Sequence, residues 1–270
     1  MTGWQEVADG VLVRRHRSLD LNCGLVLGDG ACMVIDTRSH LGEAADLIAA
    51  VRAVTPHRWT VVNTHAHYDH CFGNGAFRPA AIWASRGCAA DLAATGELQR
   101  AVAVAALREE GQDAEADQVD AAPIDPPDHL VEDVAVLDVG GREVTLRFLG
   151  RGHTDHDLVV EVEAEGDRTV VFAGDLVEEG APPQFGDAFP LEWPATLDRL
   201  LALAPPTVVP GHGDVVDHGF VAGQRDQLAA LAGLCRQVAA GALAAAEAVR
   251  AAPFPEPFAR VALERTAATA

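Results

Sequence analysis

The chain contains no lysine; all 20 of its basic residues are arginine. That absence excludes a Walker A phosphate loop, a Schiff-base lysine and a pyridoxal-phosphate anchor. Serine is almost as scarce. Ser18, Ser39 and Ser85 are the only ones, and none sits in a G-x-S-x-G nucleophile elbow. The five cysteines (Cys23, Cys32, Cys71, Cys88 and Cys235) are odd in number and show no C-x-x-C spacing. They read as reduced thiols packed as small hydrophobes. No apolar run is long enough to span a membrane, and the stretch from Met1 lacks a basic-then-apolar signal. The expectation is a cytoplasmic protein with no membrane partner. Basic charge is scarce overall, and the formal net charge of −20 repels nucleic-acid phosphates at long range. No nucleic-acid partner is expected. What remains for chemistry is His, Asp and Glu.

What is present supports a large core: 270 residues, 49% of them hydrophobic. Strand and helix patterns alternate, which makes α/β the expected class, in a single domain over 1–270. Apolar runs at 22–27 and 31–35 flank Gly28-Asp29-Gly30 and form a hairpin ending at Asp36-Thr37. Helical spacing runs over 41–54 and stops before Pro56. Residues 86–130 read as a helical and loop insertion near the site, with 112–129, which holds Pro123, Pro126 and Pro127, as a long loop or lid edge. Strands are expected at 131–137 and 143–148. A second hairpin follows, turning at Glu165-Gly166-Asp167 and ending in Ala173-Gly174-Asp175. The two halves therefore echo each other, each hairpin ending in an aspartate. Residues 178–194 read as an ordered loop, 195–203 as a helix, 207–209 as a last short strand and 220–270 as C-terminal helices.

The chain is organised around His65-Ala66-His67-Tyr68-Asp69-His70, which follows the apolar run Trp59-Thr60-Val61-Val62. Imidazoles and a carboxylate bunched in a loop at the end of a buried strand make a good metal site. On an extended backbone His65 and His67 point to the same side. Three later strand ends present a single His or Asp in the same way: His153 after Gly152, Asp175 after Gly174, and His212 after Pro210-Gly211. Functional loops gather along one edge of an α/β fold. Seven side chains are too many for one tetrahedral zinc and suit two metals sharing a carboxylate.

This set of motifs, in this order from about residue 11 to 216, resembles the metallo-β-lactamase superfamily of metallohydrolases. The resemblance implies an αββα four-layer sandwich and a dinuclear zinc centre. Carried over, His65, His67 and His153 hold the first metal, Asp69, His70 and His212 hold the second, and Asp175 bridges them. The oxygen of Asp175 also suits iron or manganese. The expected activity is a metal-dependent hydrolysis of a small-molecule ester, thioester, lactone or related substrate. A metal-bridging hydroxide attacks, and Asp69 is the catalytic group that handles its proton. The site pattern resembles glyoxalase II more than the true β-lactamases, which generally lack the bridging aspartate. Arg225, Arg236, Arg250, Arg260 and Arg265 give no clear match to the basic glutathione site of that enzyme. The alternatives are a mononuclear iron persulfide dioxygenase and a β-lactam hydrolase.

Around the motif, Tyr68 is expected to pack under the loop, with a substrate-facing phenol as the other reading. Cys71 is expected to be a buried small residue, and His156 and Asp157 to support a ligand rather than bind metal. His16, His40, His57, His129 and His218 lie outside the motifs and read as ordinary surface or core histidines.

Overall fold

A computed structural model describes residues 3–164 and 168–269. The turn expected at 165–167 lies outside the described residues. The N-terminal part forms β1 (Gln5–Ala8), β2 (Val11–Arg15), β3 (Asn22–Leu27), β4 (Ala31–Ile35), α1 (Leu41–Val54) and β5 (Arg58–Val62). The short helices α2 (Tyr68–Cys71) and α3 (Asn74–Phe77) follow, then β6 (Ile82–Ser85), α4 (Arg86–Glu109), α5 (Asp113–Asp120) and β7 (His129–Val131). The rest of the chain contributes β8 (Val134–Asp138), β9 (Glu143–Phe148), β10 (Leu158–Ala164), β11 (Arg168–Glu178), α6 (Trp193–Ala202) and β12 (Thr207–His212). It ends with α7 (His218–Ala239), α8 (Ala245–Ala251) and α9 (Glu256–Thr269).

The strands form a seven-stranded sheet in the order β1 to β7 and a five-stranded sheet in the order β12-β11-β10-β9-β8. Alternation along the strands explains how these pack, because successive side chains leave on opposite faces. In β4, Met33 and Ile35 enter a core shared with Val160, Val170 and Phe172 of the other sheet. Cys32 and Val34 face the opposite way, into a core with Leu47 and Val51 of α1. In β11, Val170 and Phe172 face the first sheet, whereas Val171 and Ala173 pack with Leu197 of α6 and Leu228 of α7. Helices therefore cover both outer faces of two stacked sheets. Gly24 of β3 lets the sheets approach, since a Cβ there would lie 2.6 Å from Cε1 of Phe172.

The echo of the halves is real at the level of strand pairing. β3 and β4 are antiparallel, α1 crosses over, and β5 pairs parallel with β4. Likewise β10 and β11 are antiparallel, α6 crosses over, and β12 pairs parallel with β11. The strand expected at 131–137 is instead two: β7 closes the edge of the first sheet and β8 opens the edge of the second. The stretch expected as a long loop at 112–129 contains α5, whose Ala116 and Val119, three residues apart, are buried against Ala103 and Val104 of α4. Three apolar residues in an acidic octet, two of them buried, are a faint signal, and the packing against α4 overrides the acidic composition. Among the described residues no helix is long and apolar enough to cross a membrane.

Candidate metal centre

The buried half of β5, Val61 and Val62, is anchored between β4 and β6, and the chain leaves it at Asn63. Asn63 fixes the exit: its Nδ2 donates to the His70 carbonyl at 3.2 Å and its Oδ1 accepts from Asn74 at 2.8 Å. His65 and His67 lie on the connection, and α2 then lifts Asp69 and His70 back towards them. His153 comes from the loop between β9 and β10, Asp175 from within β11, and His212 from the last position of β12. A Cβ on Gly211 would lie 1.8 Å from Oδ1 of Asp175, so only glycine lets β12 run past that carboxylate.

All seven side chains singled out in the sequence converge. One group is His65, His67, His153 and Asp175; the other is Asp69, His70 and His212. In the first, His153 Nε2 lies 2.9 Å from His67 Nδ1 and 3.5 Å from Asp175 Oδ2, with His65 Nε2 at 3.8 Å from the same oxygen. In the second, His212 Nε2 lies 3.3 Å from His70 Nε2 and 3.4 Å from Asp69 Oδ2. Asp175 joins them, its Oδ2 at 3.4 Å from His212 and its Oδ1 at 3.2 Å from His70. Donors bound at 2.0–2.1 Å around a tetrahedral metal stand about 3.3 Å apart, so each group has a spacing that could hold a metal ion.

The hydrogen bonds on the outward side of the rings favour the same conclusion. His70 Nδ1 donates to Asp36 Oδ2 at 2.8 Å. His65 Nδ1 donates to Thr64 Oγ1 at 3.0 Å, whose hydroxyl donates to the same Asp36 oxygen at 2.9 Å. His67 Nε2 donates to Asp187 Oδ2 at 2.9 Å, and His212 Nδ1 to the Leu19 carbonyl at 2.7 Å. Each of these four rings thus keeps its outer nitrogen on an acceptor and turns its other nitrogen inward, the orientation that metal-binding histidines require. The inward Nε2 of His65 is buried and has no hydrogen-bond partner. The residues fit metal binding.

Electrostatics sorts the rings. Burial holds His65 and His153 below the ordinary imidazole value, which keeps them neutral. Burial also opposes charge on His67 and His212, but the carboxylates win. His67 is raised to about 9, chiefly by Asp187, and His212 to about 10, chiefly by Asp175. Asp175, Asp69 and Asp36 likewise raise His70 against its burial. A cluster of carboxylates this dense draws in positive charge, as protons or as metal. Glu178 is pushed up to about 8, by burial first and by Asp175 second, and so is mostly neutral at pH 7.

The neighbours are placed as follows. Cys71 is fully buried, with its thiol donating to the carbonyls of Ala66 and His67. His156 hydrogen-bonds beside the ligands, its Nε2 accepting from the Ala66 amide at 3.3 Å, and Asp157 accepts from the Thr154 amide and hydroxyl. Tyr68 packs edge-on to Phe72 at 5.9 Å and borders a cavity of about 200 Å³ with Leu19, Ser39, Leu107 and Val119. His40 is more than an ordinary histidine. It caps α1, its Nδ1 accepting from the amides of Gly42 and Glu43, while its Nε2 donates to Glu115 of α5. Sequence reasoning missed the acceptors behind the rings. Asp36 stood out only as a strand end, and nothing marked Asp187 or the Leu19 carbonyl.

Comparison with known proteins points one way. The family model described as Metallo-beta-lactamase superfamily matches residues 19–212. A stretch of 93 residues, 33% of this chain, is 32% identical to the Metallo-beta-lactamase type 2 of Bacteroides fragilis and spans only 36% of that protein. Among solved structures, a metallo-beta-lactamase from Pontibacter korlensis superposes with a TM-score of 0.63 at 19% identity, covering 83% of this chain and 97% of the other. TMB-1 gives a TM-score of 0.60 at 21% identity, covering 85% and 97%. At these identities the structural likeness is one of fold.

Proposed function

The chain belongs to the metallo-beta-lactamase superfamily, and from that premise we propose that it is a dinuclear zinc hydrolase acting on a small-molecule ester, thioester or lactone. The observation that carries the reading is the pair of ligand groups joined by Asp175. His65, His67 and His153 would hold one metal, Asp69, His70 and His212 the other, and Asp175 both. Bound there, the metals supply an acidified water as nucleophile and a Lewis acid for the substrate oxygen.

The chain's own residues do the rest. Asp36, Thr64, Asp187 and the Leu19 carbonyl hold the outer ring protons of His70, His65, His67 and His212, so these four rings need not reorient before they bind. Asp69 turns Oδ2 towards His70 and His212. Its Oδ1 is the atom to take the proton from the nucleophilic water and return it to the leaving group. The true β-lactamases of the superfamily generally lack the bridging aspartate, so Asp175 counts against β-lactams, the substrate class named by the relatives.

Metal analysis together with a substrate panel tests this. About two zincs per chain are expected, with turnover of a thioester, ester or lactone that Asp69→Ala abolishes and Tyr68→Phe largely keeps. One iron per chain with oxygen uptake, or full hydrolysis in the Asp69 variant, would overturn the reading. A panel in which only β-lactams turn over would replace the substrate class.

A further inference from the structure

Between β2 and β3 the chain makes a turn that its residue types resist. Leu19 and Asp20 both adopt left-handed backbone, with φ of 56° and 60°. Consecutive non-glycine residues in that region persist only where surrounding structure holds them, and such strain gathers at functional sites. Arg15 holds this one. Its Nε and Nη2 form a fork on the Asp20 carboxylate at 2.5 and 2.6 Å, and its Nη1 pairs with Asp214. Arg15 stands on the first sheet, and Asp214 lies two residues beyond His212, at the end of the second.

The backbone contacts of the strained turn go to the His212 loop. The Leu19 carbonyl accepts from His212 Nδ1 at 2.7 Å, and the Asp20 carbonyl accepts from the Gly213 amide at 3.0 Å. Leu21 forms a bridge with His212, and Asn22 Nδ2 donates to the carbonyls of Pro210 and Gly213 at 3.0 and 2.9 Å. His212 is the one candidate ligand whose outward nitrogen rests on a carbonyl held in strained backbone. The rings of His65, His67 and His70 lean on side chains.

We propose that Arg15, with Asp20 and Asp214, is a positioning clamp for the second metal: by locking the Leu19–Asp20 turn it fixes the tautomer and direction of His212. The clamp acts through His212 and touches none of the reacting atoms. It rests on the two-metal reading above. Selectivity is its signature, because the turn's carbonyls take their hydrogen bonds from His212 and Gly213 and not from the first group of ligands. Weakening the clamp therefore lowers affinity for the second metal and spares the first.

The test uses the full chain stripped with a chelator, then titrated with Zn²⁺ against a chromophoric competitor. Wild-type protein, Arg15→Gln and Asp20→Asn are compared, with Arg86→Gln, which removes a remote surface pair with Glu132, as control. The two clamp variants are expected to keep the tighter binding step and to weaken the other by about 10–100-fold, the usual cost of losing an outer partner of a ligand. Histidine ¹⁵N spectra of the stripped protein should show the His212 Nδ1–H losing its hydrogen bond to the Leu19 carbonyl. Melting of the stripped variants separates this from general destabilisation. Two affinities that stay put, or that fall together in step with the melting temperature, overturn the clamp. A wild-type protein that takes up a single metal sinks the two-metal reading, and the clamp with it.

Discussion

Asp36 carries more of the site than any residue outside the ligand groups. One buried carboxylate accepts from the Thr64 amide at 2.8 Å, from the Thr64 hydroxyl and from His70, and so orients one ring of each group. Asp36→Asn should lower the unfolding free energy of the metal-free protein by about 2–3 kcal/mol, the scale of hydrogen bonds to a buried charge. Urea denaturation of both forms measures it. Asp187 makes a contrast, because its side chain is 50% exposed and supports only His67. Asp187→Ala is expected to leave urea stability almost untouched while weakening the first metal by about 10–100-fold; competition titration reads the difference. Both aspartates can be seen in the sequence as letters, but their roles cannot. Asp187 lies 120 positions from the ring that it orients, and no local pattern relates the two.

At the scale of elements, the site depends on how closely strands pass one another. β11 and β12 pair in parallel with irregular register around Gly174, and the path of β12 past Asp175 leaves no room for a side chain at 211. Gly211→Ala should therefore fold with β12 displaced and lose tight metal binding; isothermal titration with Zn²⁺ shows whether it does. Ser85 ties another element to the site. Its Oγ accepts from the Cys88 amide at the start of α4 and donates to the His156 carbonyl. Ser85→Ala is expected to cost about 1–2 kcal/mol, a lost helix cap and a lost buried hydrogen bond, by urea denaturation. Strand ends were legible because apolar runs followed by Gly, His or Asp are local signals. α5 was not, because its two buried residues count only once α4 is packed beside it.

For the whole molecule, the centre links two sheets and therefore links metal to stability. The first ligand group draws on both sheets through His65 and Asp175, and so does the second through His70 and His212. Metal that binds only the folded chain stabilises it by about 2.7 kcal/mol per site at a hundredfold excess over Kd. Chelation should accordingly lower Tm by several degrees, and calorimetry with and without chelator checks it. The sign of the pH effect follows from the ring nitrogens. Metal binding needs His67, His70 and His212 unprotonated, and their carboxylate neighbours raise their affinity for protons. Uptake of metal should therefore release protons, and affinity should fall steadily as pH drops below about 10, where His212 and then His67, at about 9, take up protons. Pulse titration in buffers of different ionisation enthalpy measures the proton count.

The amino-acid sequence by itself determined the candidate donor set, its order along the chain, the two echoed hairpin units and the absence of lysine and of a serine nucleophile elbow. Each of those is written in contiguous residues: an apolar run, a turn, a histidine or aspartate at its end. Only the tertiary structure decided which nitrogen of His67, His70 and His212 faces inward, because the acceptors behind those rings come from remote segments. The Leu19 carbonyl is 193 positions from His212, and it reaches the ring only through a strained turn that an arginine holds in place. Backbone carbonyls carry no sequence signature, so a partnership of this kind appears only when the two sheets are stacked.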